Sequence, residues 1–128
     1  MSPTAAHLAL PALDESEIAY WMNHIAHGLK YLRSKKIVHR DLKPRNFMLK
    51  KIVKQAPSMY HNYILKLADL GFGKILENHE LTGTYLGTPN YISPEILDGD
   101  LYSVNVDLWS EGIILFEMIT AMKACDNR

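Results

Sequence analysis

Apolar residues recur in the first third of the chain at alternating spacings of four and three: Ile18, Met22, Ile25, Leu29 and Leu32. That period puts them on one face of a helix of roughly five turns. Asp14-Glu15-Ser16-Glu17 stands just ahead of it. An acid at the cap with a Glu three residues later has the form of a capping box, so the helix is predicted to begin here. Ser34-Lys35-Lys36 ends it, and residues 1–13, which lack a clear period, read as a lead-in. Beyond the helix the apolar runs shorten. Ile37-Val38 and Phe47-Met48-Leu49 predict two short strands that frame a loop, and Tyr63 to Ala68 predicts a third strand leading into Asp69. Lys50 to His61 is polar, mixed and interrupted by Pro57, and reads as a surface excursion. Residues 71–93 are rich in Gly, Thr and Asn without a period, and a long loop of this kind is usually functional. Val104 to Met122 is apolar nearly all round, which predicts a second helix buried on most sides. The pattern divides the chain into a lead-in (1–13), one domain (14–122) and a short tail (123–128). The fold class is α+β, mainly helical.

Composition narrows the picture. At 128 residues, with 48% apolar and 22% charged residues, the chain is a single globular domain at most. Fourteen Lys and Arg balance fourteen Asp and Glu, so no net charge draws it to nucleic acid or to a membrane surface. Cys125 has no partner in the chain, which favours a reducing, cytoplasmic setting. Pro11 and the lack of a basic start argue against a signal peptide in the first residues. The run from Ile113 to Met122 is too short to span a bilayer and contains Glu117, so a soluble protein is expected. His24 and His27, three apart on the first helix, could reach one metal ion, but no Asp, Cys or further His completes a site.

Three segments carry chemistry, in a fixed order: His39-Arg40-Asp41-Leu42-Lys43-Pro44-Arg45-Asn46, then Asp69-Leu70-Gly71, then Gly87-Thr88-Pro89-Asn90-Tyr91-Ile92-Ser93-Pro94-Glu95. Each has a bland reading on its own: a surface ion pair, a turn residue, a strand-ending turn. Their joint occurrence at this spacing does not. Together they resemble the catalytic loop, the metal-binding motif and the end of the activation segment of a eukaryotic protein Ser/Thr kinase. The resemblance runs from about Asp14 to Met122 and implies part of the kinase C-lobe, with transfer of the γ-phosphate of ATP to protein Ser/Thr hydroxyls. It implies ATP and Mg²⁺ as cofactors, Asp41 beside the attacking hydroxyl and Lys43 near the γ-phosphate. Asn46 and Asp69 would supply the oxygen ligands of the metal, and Met48 would pack beneath the adenine ring. Lys43 in Lys-Pro-x-Asn is the Ser/Thr form of the motif.

Further positions follow from the same resemblance. His39 and Leu70 match two members of an apolar stack, with Leu70 in place of the usual Phe. Ile114 and Met118 could support the floor under Met48, and Asp107 matches the carboxylate that caps the His39-Arg40-Asp41 turn. Thr84 lies where the family places its activating phosphate, added by an upstream kinase or by autophosphorylation, with Arg40 as the expected partner and Thr82 as the rival site. Thr88 matches the hydroxyl that bridges Asp41 and Lys43. Arg45 replaces the Glu that greets a substrate Arg in many basophilic kinases, so a neutral or apolar substrate context is expected. Glu111 stands where the family places an apolar residue, and a buried unpaired carboxylate there would be costly. Leu13-Asp14-Glu15, the excursion between Leu49 and Tyr63, and Gly71-Phe72-Gly73-Lys74-Ile75-Leu76 lean toward the autophagy-initiating kinases. Nothing before His39 resembles a glycine-rich loop or the strand Lys that grips the α- and β-phosphates, so the N-lobe is read as absent and the chain as truncated. On that reading the 128-residue chain alone is inactive. The alternative is a non-catalytic regulatory or binding module of kinase origin.

Overall fold

The computed structural model describes residues 13–52, 58–70, 73–75, 89–100 and 103–122. Helix α1 (Glu15–Ser34) begins where the pattern places it. Asp14 is extended and its carboxylate accepts the Glu17 N–H at 2.8 Å, which satisfies one orphan donor of the first turn. The Glu17 carboxylate accepts the indole N–H of Trp21 at 3.2 Å.

The chain then makes strand β1 (Ile37–Val38), a 3₁₀ turn (Pro44–Asn46) and strand β2 (Phe47–Lys51). After a second 3₁₀ turn (Met59–Asn62) come strands β3 (Tyr63–Leu67) and β4 (Lys74–Ile75). The strands pair as two separate antiparallel ribbons, β1 with β4 and β2 with β3. The register Phe47↔Leu67 to Lys51↔Tyr63 makes β2–β3 the longer ribbon. A 3₁₀ turn (Pro89–Tyr91) leads to helix α2 (Pro94–Leu97), and helix α3 (Asn105–Thr120) follows. β4, the turn at Pro89–Tyr91 and α2 fall within or just after the stretch read as loop; two-residue strands and a four-residue helix are too short to show a period.

Ile25, Leu42 and Ile114 form the centre of one core cluster, with Met22, Leu29, Phe47, Leu65, Leu67, Tyr91 and Met118 packed around it. A second cluster joins Val38, Ile92, Ile96 and Val106. The two clusters clamp the segment 38–42 between α1, α3 and the β2–β3 ribbon. Helix α3 departs from expectation. Val106, Asp107, Ser110 and Ile114 are buried, but Leu108, Trp109, Phe116 and Ile119 are exposed, because the core clusters and α1 meet the face that carries the buried residues and leave these four side chains exposed. Among those residues, no helix is long and apolar enough to cross a membrane.

Candidate active site

The site grows from the buried segment that follows β1. The His39 ring is wholly buried, and its Nδ1 accepts the Asp41 N–H at 3.1 Å. The other ring nitrogen then carries the proton, and Nε2 donates to the Ala68 carbonyl at 3.0 Å. One imidazole therefore ties the loop to the end of β3.

Arg40 has φ 70°, in the left-handed region that a residue with a Cβ seldom occupies. Something must hold it there. Asp107, in the first turn of α3, accepts the His39 N–H at 2.8 Å on Oδ2 and the Arg40 N–H at 3.0 Å on Oδ1. The cap expected from the sequence is thus present. Burial pushes the Asp107 carboxyl above the ordinary range, and the two N–H bonds pull it partly back.

Asp41 is also buried, and its Oδ2 lies 3.5 Å from Lys43 Nζ. Pro44 opens the 3₁₀ turn that swings Asn46 back beneath it. Asn46 Nδ2 donates to the Asp41 carbonyl at 2.6 Å and to Asp41 Oδ2 at 3.2 Å. Asn46 in turn accepts the Ala68 N–H at 2.7 Å through its main-chain carbonyl. That bond extends the β2–β3 ladder by one step and brings Asp69 to the same end of the ribbon as Asn46. Asp69 is exposed and, like Arg40, sits at positive φ (57°). Asp41, Lys43 and Asn46 are therefore bonded together, and Asp69 is carried to them by the ladder.

Other expected residues are placed differently. Met48 is 63% exposed and is not a core residue. Side chains alternate along a strand, and Phe47 takes the face that meets Leu42 and Ile114. Ile114 and Met118 thus back β2 through Phe47. Leu70 is 50% exposed while His39 is buried, so the two do not share one buried stack among the described residues. Glu111 is half-buried in a groove of about 250 Å³ also lined by Lys30 and Arg33, and burial raises its carboxyl. Arg45 is exposed. Thr82, Thr84 and Thr88 lie outside the described residues.

Two anchors have no counterpart in the sequence pattern. Tyr91 Oη donates to the Glu117 carboxylate, at 2.8 and 2.9 Å from its two oxygens, and Ser110 Oγ donates to the Tyr91 carbonyl at 2.6 Å. Burial and the facing carboxylate push the Tyr91 hydroxyl far up. Glu117 is the one available signal, as the single acid in the apolar run from Ile113 to Met122. The second anchor joins α1 to β3. Tyr20 Oη donates to the Tyr63 carbonyl at 2.7 Å, and the Leu65 N–H donates to His24 Nδ1 at 3.2 Å.

Residues 5–128 match the protein kinase domain family. The chain is 45% identical over 115 residues to the serine/threonine-protein kinase atg1 of Dictyostelium discoideum, covering 90% of this chain and 16% of that protein. It is 38% identical over 108 residues to the serine/threonine-protein kinase unc-51 of Caenorhabditis elegans, covering 84% of this chain and 13% of that protein. It is also 39% identical over 105 residues to the inhibitor of nuclear factor kappa-B kinase subunit alpha of Danio rerio, covering 82% and 13%. The chain spans about a sixth or less of the length of these curated relatives. A loop in which a buried Asp, a Lys and an Asn are bonded together, an Asp at the adjoining strand end, and a family match across nearly the whole sequence lead to one conclusion: the chain belongs to the protein kinase domain family, among the serine/threonine kinases, with a lean toward the Atg1 and unc-51 relatives.

Proposed function

We propose that this chain is the C-lobe portion, bearing the catalytic loop, of an ATP-dependent protein Ser/Thr kinase. The observation that carries the reading is the bonded cluster of Asp41, Lys43 and Asn46 with Asp69 at the adjoining ladder end. In this proposal Asp41 accepts the proton of the substrate hydroxyl, and Lys43, 3.5 Å from it, offsets charge on the γ-phosphate. The residues suit a hard cation. Both Asn46 bonds to Asp41 come from Nδ2, which leaves Oδ1 as the ligand atom, and Asp69 offers an exposed carboxylate. The chemistry supplied by bound Mg²⁺ is neutralisation of the β- and γ-phosphate oxygens. The exposed Met48 offers an apolar surface to the adenine ring.

In the complete kinase that carries this sequence, Asp69→Ala is expected to abolish Mg²⁺-dependent transfer of radiolabelled phosphate to a protein substrate while leaving the thermal melt nearly unchanged. Asp69 is exposed, so its removal costs little packing. Full activity of that variant at ordinary Mg²⁺ concentration would refute the metal assignment.

Phosphorylation of Thr84, by an upstream kinase or by the enzyme itself, would place nearly two negative charges within the activation segment. Arg40 is the cation assigned to it, because Asp107 holds its backbone in place. Thr84→Ala is expected to lower activity several-fold, and the same change on an Arg40→Ala background to do almost nothing. Additive losses in that double-mutant cycle would count against direct pairing.

A further inference from the structure

Each strand of the two-stranded β2–β3 ribbon has an outer edge. Strand β3 is paired with β2 on one side, and its outward-facing groups on the other side need partners. Helix α1 supplies them from side chains: Tyr20 Oη to the Tyr63 carbonyl, and His24 Nδ1 to the Leu65 N–H. These two bonds act as a short substitute for a neighbouring strand. The same strand runs through Leu67 and Ala68 into Asp69. We propose that His24, with Tyr20, is a positioning residue for the metal-binding Asp69, and that protonation of His24 releases β3 and weakens Mg²⁺-dependent transfer. The inference rests on the kinase reading given above.

The chemistry of the ring makes the bond proton-sensitive. To accept from Leu65, Nδ1 must be bare. A proton there would face an N–H, lose the bond and leave the Leu65 donor unpaired. The surroundings oppose the charged form. Tyr20 stacks on the ring edge-on at 4.4 Å, Trp21 at 5.8 Å, and Tyr20 is itself packed against His61 and Tyr60 of the Met59–Asn62 turn. His27 follows on the same helix, and the titratable side chains of β3 are Tyr63 and Lys66. Glu17 is taken up by Trp21. Among the described residues no carboxylate lies within ion-pair distance of His24. His61 Nδ1 is buried without a hydrogen-bond partner among them. Burial, and then the His27 charge, lower the His24 pKa from the ordinary 6.5. With the folded pKa depressed, the contribution of the neutral ring is complete above pH 6.5 and is lost as pH falls from there through the folded value.

The test compares the complete kinase with its His24→Gln and His24→Ala variants. A Gln carbonyl can accept the Leu65 N–H and does not titrate; Ala can do neither. At pH 7.5, His24→Ala is expected to raise the Mg²⁺ concentration for half-maximal transfer roughly 3- to 10-fold, with a smaller change in kcat, as the loss of one hydrogen bond would produce. His24→Gln should restore that concentration and extend activity to lower pH than wild type. Hydrogen exchange of the peptide covering residues 63–67 should speed up in His24→Ala at pH 7.5, and in wild type but not in His24→Gln on acidification. An unchanged Mg²⁺ requirement in His24→Ala, or the same acid limb in wild type and His24→Gln, would overturn the inference. If the wild-type protein transferred no phosphate at all, the proposed function would fall, and the exchange of residues 63–67 alone would decide whether His24 holds β3.

Discussion

Asp107→Ala is expected to be the most destabilising single change in the described part of this chain. The carboxylate is 4% exposed and accepts two backbone N–H groups, of His39 and Arg40. Ala would remove the acceptor of both, at about 1–3 kcal/mol for the buried His39 donor and less for the partly buried Arg40 donor, a large share of the about 5–15 kcal/mol that holds a typical domain together. The cap that supports Arg40 at its φ of 70° would then be lost, and the loop should relax away from the geometry that sets Asp41 beside Asn46. Asp107→Asn keeps one acceptor and should fall between. Urea unfolding of the three proteins checks the order. A midpoint for Asp107→Ala equal to that of wild type would show that the loop does not depend on this cap.

Asp41→Ala carries the largest expected effect on turnover. Removal of a positioned general base typically costs about 10²- to 10⁴-fold, and the loss should appear in kcat while the KM for ATP changes little. The fold should survive. The Asn46 side chain keeps its 2.6 Å bond to the main-chain carbonyl of residue 41, and that residue's N–H keeps the His39 ring as acceptor. Steady-state kinetics with a protein substrate, beside a thermal melt, separate the two effects. A variant retaining more than about a tenth of the wild-type kcat would remove Asp41 from the role of base, since a loss that small lies below the usual range for one.

Much of this chain is legible from local rules alone. The start of α1 follows from Asp14 and Glu17, because a cap bond spans three residues and needs nothing from the rest of the chain. The buried face of α1 follows from its period; Trp21, three residues after Ile18 and four before Ile25, lies on the same face and is also buried, with its indole N–H taken by Glu17 one turn away. The site residues are legible for a similar reason. Asp41, Lys43 and Asn46 lie within one short loop, where chain connectivity alone keeps them close.

Tertiary structure decides what sequence spacing does not. The side of β2 that faces the core depends on what packs beneath it, so Phe47 is inside and Met48 outside. The exposure of α3 likewise depends on its neighbours and not on its composition; a helix apolar all round is buried only where other elements reach it. The joining of the loop to Asp69 rests on a ladder bond from Ala68 to Asn46 and on the ring of His39, both across more than twenty residues of chain. The links from Tyr91 to Glu117 and from His24 to Leu65 have the same character. A buried polar group must find a partner, but the partner is chosen by which surfaces the fold brings together, and that choice is made only when the chain packs.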